Sequence, residues 1–134
     1  NGLKPNTITF TAVMNACEHT RGDKKIKTEA LRISLEALSS MQKSDDAKPN
    51  YFTFRTMISV IGRLVDDAAR KKHLISKIFE LCCEAGYVDE VVLKNVKHFS
   101  PSLFEKLPVK YCLSGKLSDL PEEWTRHSRS KIRS

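Results

Sequence analysis

Cysteine, glycine and proline are all scarce in this chain of 134 residues, which contains four, five and five of them respectively. Four cysteines are too few for a disulfide-stapled scaffold, so we expect a reduced, intracellular protein. The small numbers of glycine and proline argue against collagen-like sequence, low complexity and all-β folds with many turns. No apolar run approaches the roughly 20 residues that a membrane-spanning helix needs. These shortages favour a single helical domain.

The spacings that bind metals or support catalysis are missing as well. The sequence has no C-x-x-C and no H-x-x-x-H, and the adjacent Cys82 and Cys83 suit one zinc ion less well than a spaced pair. Cys82 falls on an apolar helical stripe, so we expect a packed thiol. The two glutamates before Trp124 predict a short helix whose tryptophan packs back on the fold, not an acid–base pair. We therefore predict no enzyme activity, no metal and no cofactor.

Basic residues outnumber acidic ones by 23 to 16, which gives a net charge of +7. This excess makes polyanions the first class of partner to consider. Basic runs at 24–27 and 70–72 are either solvated faces or phosphate contacts. The basic tail, residues 126–134, is expected to fray as a solvated terminus. The chain opens at Asn1 with neither a methionine nor an apolar leader, and we expect it to begin inside a longer protein.

An internal repeat is the strongest signal in the sequence. Residues 4–14 read KPNTITFTAVM and residues 48–58 read KPNYFTFRTMI, with five identities at a constant offset of 44. Beginning at Phe10 and at Phe54, apolar residues follow the spacing i, i+3, i+4, i+7 of one buried helical stripe. Proline and then asparagine before each stripe supply a chain break and a capping side chain. The two stretches predict the first helices of a duplicated unit.

A second helix is predicted after each of these, at 24–43 and at 67–85, and a third first-helix at 89–99. In the segment 24–43 the expected buried stripe includes Ile26 and Ile33. Short loops make neighbouring helices antiparallel, and each amphipathic hairpin needs a neighbour to bury its open face.

The predicted fold is therefore all-α: a right-handed α-solenoid of antiparallel helix pairs with an irregular C-terminal cap and tail. The predicted units are 1–6 as the end of a preceding repeat, 7–50 and 51–89 as helical hairpins, 90–99 as the first helix of a degenerate repeat, and 100–134 as the cap and basic tail.

The motifs of this repeat resemble those of pentatricopeptide repeats, the RNA-binding helical hairpins of organelles. The resemblance covers about residues 1–99 and rests on Lys-Pro-Asn, on Thr-Phe opening the first helix, on the Glu-Ala-Leu at 29–31 and on Met41. Family repeats are near 35 residues, and the longer spacings here, 44 and about 39, are expected to lie in turns at 20–27 and 66–72. The Trp-x-x-Leu-Gly-x-x-Tyr pattern of tetratricopeptide repeats is absent.

The resemblance implies single-stranded RNA as the partner, read one base per repeat by first-helix side chains and the last residue of the repeat. It assigns the first reading pair to Thr11 and Asn50, a combination that favours adenine. It also assigns the clamp around a base to Ile8 and Phe52, since aromatic faces stack well on bases. Asn6, which ends the preceding repeat, is an RNA-contacting candidate on the same ground.

The second and third repeats match the family pattern less well. Arg55 would pair with Asp89 or Glu90, a combination with no standard base assignment, so Arg55 either reads a base or holds a phosphate. Asn95 is the first-helix candidate of the third repeat. The expected setting is a mitochondrion or plastid, with a role in RNA processing, stability or translation.

Several of these residues also have a purely structural interpretation. Asn6 and Asn50 are either base readers or helix caps alone, and Thr53 is either a helix-start residue or an RNA contact. Thr11 is expected to be exposed on a concave face, whereas Phe52 lies off the apolar stripe and should be an exposed aromatic.

Two other functions stay open. One is a protein–protein scaffold on the same solenoid, in a ribosomal or RNA-processing assembly. The other is the binding arm of an enzyme whose catalytic domain lies outside these residues.

Overall fold

A computed structural model of the chain describes residues 6–128. Within that range the chain forms eight α-helices, one turn of 3-10 helix and no strand, which confirms the all-α prediction. The helices are α1 (Thr7–Glu18), α2 (Lys24–Lys43), α3 (Tyr51–Leu64), α4 (Ala68–Ala85), α5 (Glu90–Phe99), α6 (Pro101–Phe104), α7 (Val109–Ser114) and α8 (Glu122–Thr125), with the 3-10 turn at Leu117–Asp119. None of these helices is long and apolar enough to cross a membrane.

Asparagine and aspartate side chains start all five long helices. Each one accepts a hydrogen bond from a backbone N–H in the first turn of its helix, which would otherwise lack a partner. The five caps are Asn6, Asp23, Asn50, Asp67 and Asp89. At the other end of α4, Gly86 adopts the left-handed conformation, with φ of 81°, and closes the helix. The predicted second helices at 24–43 and 67–85 therefore agree with α2 and α4.

Helix α3 is the centre of the packing, because α1, α2, α4 and α5 all lie against it. Nine of its 14 residues are buried, among them Phe54 and Met57, whereas α1 buries three of 12. The approach of α5 is especially close at Gly62, where an added Cβ would overlap the ring of Phe99. The predicted core residue Phe54 is confirmed, and Phe10 of α1 is only partly buried against the core.

The predicted stripe of α2 is wrong in part. Ile26 and Ile33 are exposed, whereas Leu31 and Ser34 are buried. This helix carries apolar residues on more than one face, and its packing against α1 and α3 selects the row that contains Leu31 and Leu38. Periodicity predicts that this segment is a helix, but it does not decide which of its two apolar faces is buried.

The prediction that the additional length of the repeats lies in turns at 20–27 and 66–72 is also wrong. The connection between α3 and α4 is only three residues long, 65–67, and residues 68–72 belong to α4. The longer first unit instead has a second helix of 20 residues, compared with 18 in α4. A six-residue connection, 44–49, then leads from α2 to the cap of α3.

The C-terminal segment packs against the end of α4. Trp124 meets Phe79 edge to face, with ring centroids 5.7 Å apart, as predicted for this tryptophan. The N–H of Val88 donates to the Trp124 carbonyl (2.9 Å), and the N–H of His127 donates to the Gly86 carbonyl (2.7 Å). The expectation that the chain frays from residue 126 is therefore wrong for residues 126–128. The rest of that prediction, residues 129–134, lies outside the described range.

Candidate functional site

The caps of α1, α3 and α5 place these three helices in a common register. The second residue after each cap is a large apolar side chain: Ile8, Phe52 and Val91, with exposed fractions of 79%, 47% and 41%. Since α1 packs on α3 and α3 packs on α5, these three positions recur on adjacent helices. The predicted exposure of Phe52 is confirmed.

Val91 is exposed, although it lies among the apolar residues of α5. Val92, Leu93 and Val96 take the buried positions of α5 instead. Counting from the cap Asp89, rather than from the apolar pattern alone, identifies Val91 as the counterpart of Phe52.

A groove of about 430 Å³ lies between the N-terminal ends of α1 and α3, and we call it the α1/α3 groove. Its volume falls within the range of small-ligand pockets, about 300–1,000 Å³. The lining residues that the structure describes all have uncharged side chains; they are Thr7, Ile8, Thr11, Ala12, Asn15, Asn50, Tyr51 and Phe52. The groove thus brings together all four residues assigned to the first reading site. It combines apolar side chains with amides and hydroxyls that form directional hydrogen bonds.

Thr11 is not exposed as expected, because its side chain faces α3. Only 4% of its surface is accessible. Its hydroxyl donates to the Thr7 carbonyl (2.7 Å) and lies 3.2 Å from the Thr53 hydroxyl. The expected exposure is therefore wrong, and a ligand in the groove meets little of Thr11 directly.

Asn50 caps α3 as the structural interpretation predicted. Its Oδ1 accepts the N–H groups of Phe52 (3.0 Å) and Thr53 (3.1 Å). Its own N–H donates to the Thr53 hydroxyl (3.1 Å), which completes a capping box. Asn6 caps α1 in the same way, through Oδ1 and the N–H of Thr9 (2.9 Å). The structure shows capping for both asparagines, and base contact by either stays a prediction.

The next junction, between α3 and α5, contains an ion pair instead. Arg55 donates from Nε (3.2 Å) and Nη2 (2.7 Å) to Oδ2 of Asp89, whose side chain is only 3% exposed. The other carboxylate oxygen accepts the N–H of Val92 and so caps α5 (2.9 Å). The guanidinium also lies over the ring of Tyr51, 4.8 Å from its centroid. Asp89, not Glu90, is therefore the partner of Arg55, and this pairing disfavours a phosphate on that arginine.

The third-repeat candidate Asn95 is out of register. The fifth residue after each cap is Thr11 in α1, Arg55 in α3 and Lys94 in α5. Asn95, the sixth, donates its amide to the Arg55 carbonyl (3.4 Å) and so bridges α5 to α3. Counted from the caps, the exposed Lys94 is the positional counterpart of Thr11, and an RNA contact by Asn95 stays a prediction.

The adjacent thiols of Cys82 and Cys83 lack the features of a reactive pair. Cys82 and Cys83 are both buried in α4. Burial, assisted by the carboxylates of Glu80 and Glu84, raises the pKa of Cys83 to about 12, and burial likewise raises the pKa of Cys82. Thiols of this kind stay protonated near neutral pH and are poor nucleophiles. Within residues 6–128, no three His, Cys, Asp or Glu side chains are grouped so as to hold a metal ion.

The fold and the groove define an all-helical, repeat-like protein with a neutral cleft between adjacent first helices. Comparisons with protein-family models, with curated proteins and with solved structures found no match for this chain.

Proposed function

We propose that this protein binds single-stranded RNA and that the α1/α3 groove takes one base. The observation that carries the proposal is the composition of the groove: two exposed apolar side chains, Ile8 and Phe52, flank uncharged hydrogen-bonding groups. A nucleobase has the same mixed character, because its face is apolar and its edge carries donors and acceptors. The ring of Phe52 stacks on the face of the base, and Asn50 meets its edge.

An uncharged lining favours a base over a phosphate in this groove. Phosphate groups bind guanidinium, ammonium or clustered backbone N–H groups, and among residues 6–128 no side chain that lines the groove carries a charge. The RNA backbone then lies outside the groove, where the net charge of +7 attracts it. One stacked base contributes about 1–3 kcal/mol, so we expect weak binding that is sensitive to salt.

The proposal includes a wider architecture and role. The shared register of α1, α3 and α5, together with the packing of α3 between the other two, supports a solenoid, for which we keep the right-handed sense expected from the sequence. With the resemblance to pentatricopeptide repeats, it supports a non-catalytic RNA-binding protein of a mitochondrion or plastid. Its role there is RNA processing, stability or translation.

A protein-interaction scaffold is the second candidate, and α7 carries the observation that favours it. Val109 and Leu113 lie one helical turn apart on this short helix and are both strongly exposed, Leu113 at 84%. Exposed apolar side chains at neighbouring positions suit a protein partner better than RNA. This candidate predicts that Leu113→Ala weakens partner binding, whereas the RNA proposal predicts no effect of Leu113→Ala on RNA.

The two candidates are separated by comparing Phe52→Ala with Leu113→Ala. Both changes remove an exposed apolar side chain, and only Phe52 lines the α1/α3 groove. In fluorescence anisotropy with a labelled oligo-A, Phe52→Ala should weaken binding by roughly five- to 100-fold. Leu113→Ala should bind like the wild type, and helicity by circular dichroism should be unchanged in both. Equal affinities for Phe52→Ala and wild type would remove the groove from the RNA site.

A further inference from the structure

Asn50 is held in one orientation of its amide by what surrounds it. The N–H groups of Phe52 and Thr53 can only donate, so the atom that faces them must be the acceptor Oδ1. The amide nitrogen Nδ2 is then the end of the amide that the cap does not use, and the hydrogen bonds of the Asn50 side chain among residues 6–128 all involve Oδ1. Because Asn50 also lines the groove, the hydrogen-bonding capacity it has left for a ligand is the two donors of Nδ2.

One fully buried side chain joins the two members of the predicted reading pair. The Thr53 hydroxyl lies 3.2 Å from Oδ1 of Asn50 and 3.2 Å from the hydroxyl of Thr11, and it accepts the N–H of Asn50 (3.1 Å). Thr11 is anchored in turn, because its proton goes to the Thr7 carbonyl at 2.7 Å. Thr11 thus acts on the groove through Thr53, since it is itself almost inaccessible.

Resting on the RNA-binding function proposed above, we propose that Thr53 is a positioning residue for base selection. Its hydroxyl adds a third hydrogen bond to Oδ1 (3.2 Å) and so holds the Asn50 amide more closely in the position from which Nδ2 serves the groove. The site then selects bases that present an acceptor to Nδ2. Without this hydroxyl the Asn50 N–H loses its partner, and the capping box opens. The backbone N–H groups of Phe52 and Thr53 still hold Oδ1, but the amide has lost one hydrogen bond and is positioned less closely, so base selection weakens while stacking on Phe52 persists.

The test compares Thr53→Val with Thr9→Val by anisotropy on oligo-A, oligo-G, oligo-U and oligo-C. Valine keeps the shape of threonine and removes the hydroxyl. Thr9 is the matched control because its hydroxyl also contacts the cap of its helix, Asn6 Oδ1 (3.1 Å), but it does not line the groove. We expect Thr53→Val to lower the ratio of the best to the second-best base about two- to tenfold. Thr9→Val should leave the ratio unchanged.

Thr53→Ser keeps the hydroxyl and should restore the wild-type ratio, and it remains informative if the valine variant fails to fold. A folded Thr53→Val with the wild-type ratio, or Thr53→Ser with a lowered ratio, would overturn the role of Thr53 while leaving RNA binding intact. A wild-type chain that binds none of the four RNAs would instead overturn the proposed function, and one that binds all four equally would overturn base selection. Failure of the role of Thr53 is therefore distinguishable from failure of the proposed RNA binding.

Discussion

The two junctions between first helices use the same positions for different chemistry. Between α1 and α3, the fifth residue after the cap is Thr11, which joins a network of neutral hydroxyl and amide groups. Between α3 and α5 it is Arg55, which reaches across to the buried carboxylate of Asp89. The first junction keeps an uncharged groove, whereas the second holds an ion pair where a second base would meet its reading pair. Under the proposed function, the first junction binds a base and the ion pair of the second stabilises the packing of α3 against α5.

At the C-terminal ends of α1 and α3, the contact with the next helix again differs: it is looser between α1 and α3 than between α3 and α5. The twelfth residue after the cap is Glu18 in α1 and Gly62 in α3. Glu18 contacts α3 through a long, partly exposed ion pair with Arg63 (3.7 Å). Gly62 instead allows the ring of Phe99 to pack directly on the backbone of α3. The α3/α5 junction is therefore tightly packed at one end and ion-paired at the other.

The largest expected effect comes from breaking the ion pair of the second junction. Arg55→Ala leaves the Asp89 carboxylate buried without its cation, which should lower the free energy of unfolding by about 3 kcal/mol. Arg32→Ala is the control, because Arg32 also pairs with carboxylates but on an exposed face of α2, where solvent screens the pair and the loss should be much smaller. Urea denaturation measures both, and equal small losses would contradict a bracing role for Arg55.

A smaller loss is expected at the other end of that junction. Gly62→Ala places a methyl group against the Phe99 ring, and overpacking of this kind costs about 1–3 kcal/mol. The helix preference of alanine offsets about 1 kcal/mol of this cost. Adding Phe99→Leu should recover part of the stability lost in Gly62→Ala. A Gly62→Ala variant that melts higher than wild type would show that α3 and α5 do not approach closely here.

The second junction can also be rebuilt to match the first. The triple change Arg55→Thr, Asp89→Asn and Val92→Thr places the side chains of Thr11, Asn50 and Thr53 at the equivalent positions of α3 and α5. Removing both charges together avoids an unpaired buried ion. If the network makes the groove, a second base should bind and add about 1 kcal/mol or more to the affinity for oligo-A. Unchanged affinity in a folded triple variant would mean that the network alone does not create a base site.

The smallest expected effect comes from a change at the α1/α3 junction. Asn50→Asp keeps an acceptor for the cap, so α3 should start normally, but it removes the Nδ2 donors. We expect the preference to shift from adenine toward guanine by about two- to tenfold. Anisotropy with oligo-A and oligo-G measures the shift, with Asn6→Asp as the cap-matched control. An unchanged preference would remove Asn50 from base selection.

The sequence was most informative where local chemistry decides the structure. Caps, helix periodicity and the offset between repeats predicted the long helices, the exposed Phe52 and the packing of Trp124. These features depend on neighbours a few residues apart, which a single sequence displays directly.

The sequence was less informative where the packing of distant helices decides the outcome. The burial of Thr11, the exposure of Ile26 and the contact of Gly62 with Phe99 all depend on which face meets a neighbour. One signal in the sequence was available but not used: counting from each cap identifies Val91 and Lys94 as the counterparts of Phe52 and Arg55. The link from Thr11 through Thr53 to Asn50 could not be read from the sequence, since it joins residues of two helices.

The measurement that tests the central claim most directly is anisotropy of the wild-type chain with oligo-A, oligo-G, oligo-U and oligo-C at low and moderate salt. The account predicts tightest binding to oligo-A and a steep loss of affinity as salt rises, because neutralised phosphates release counterions. No binding to any of the four RNAs, even at high protein concentration, would contradict a base site in the α1/α3 groove.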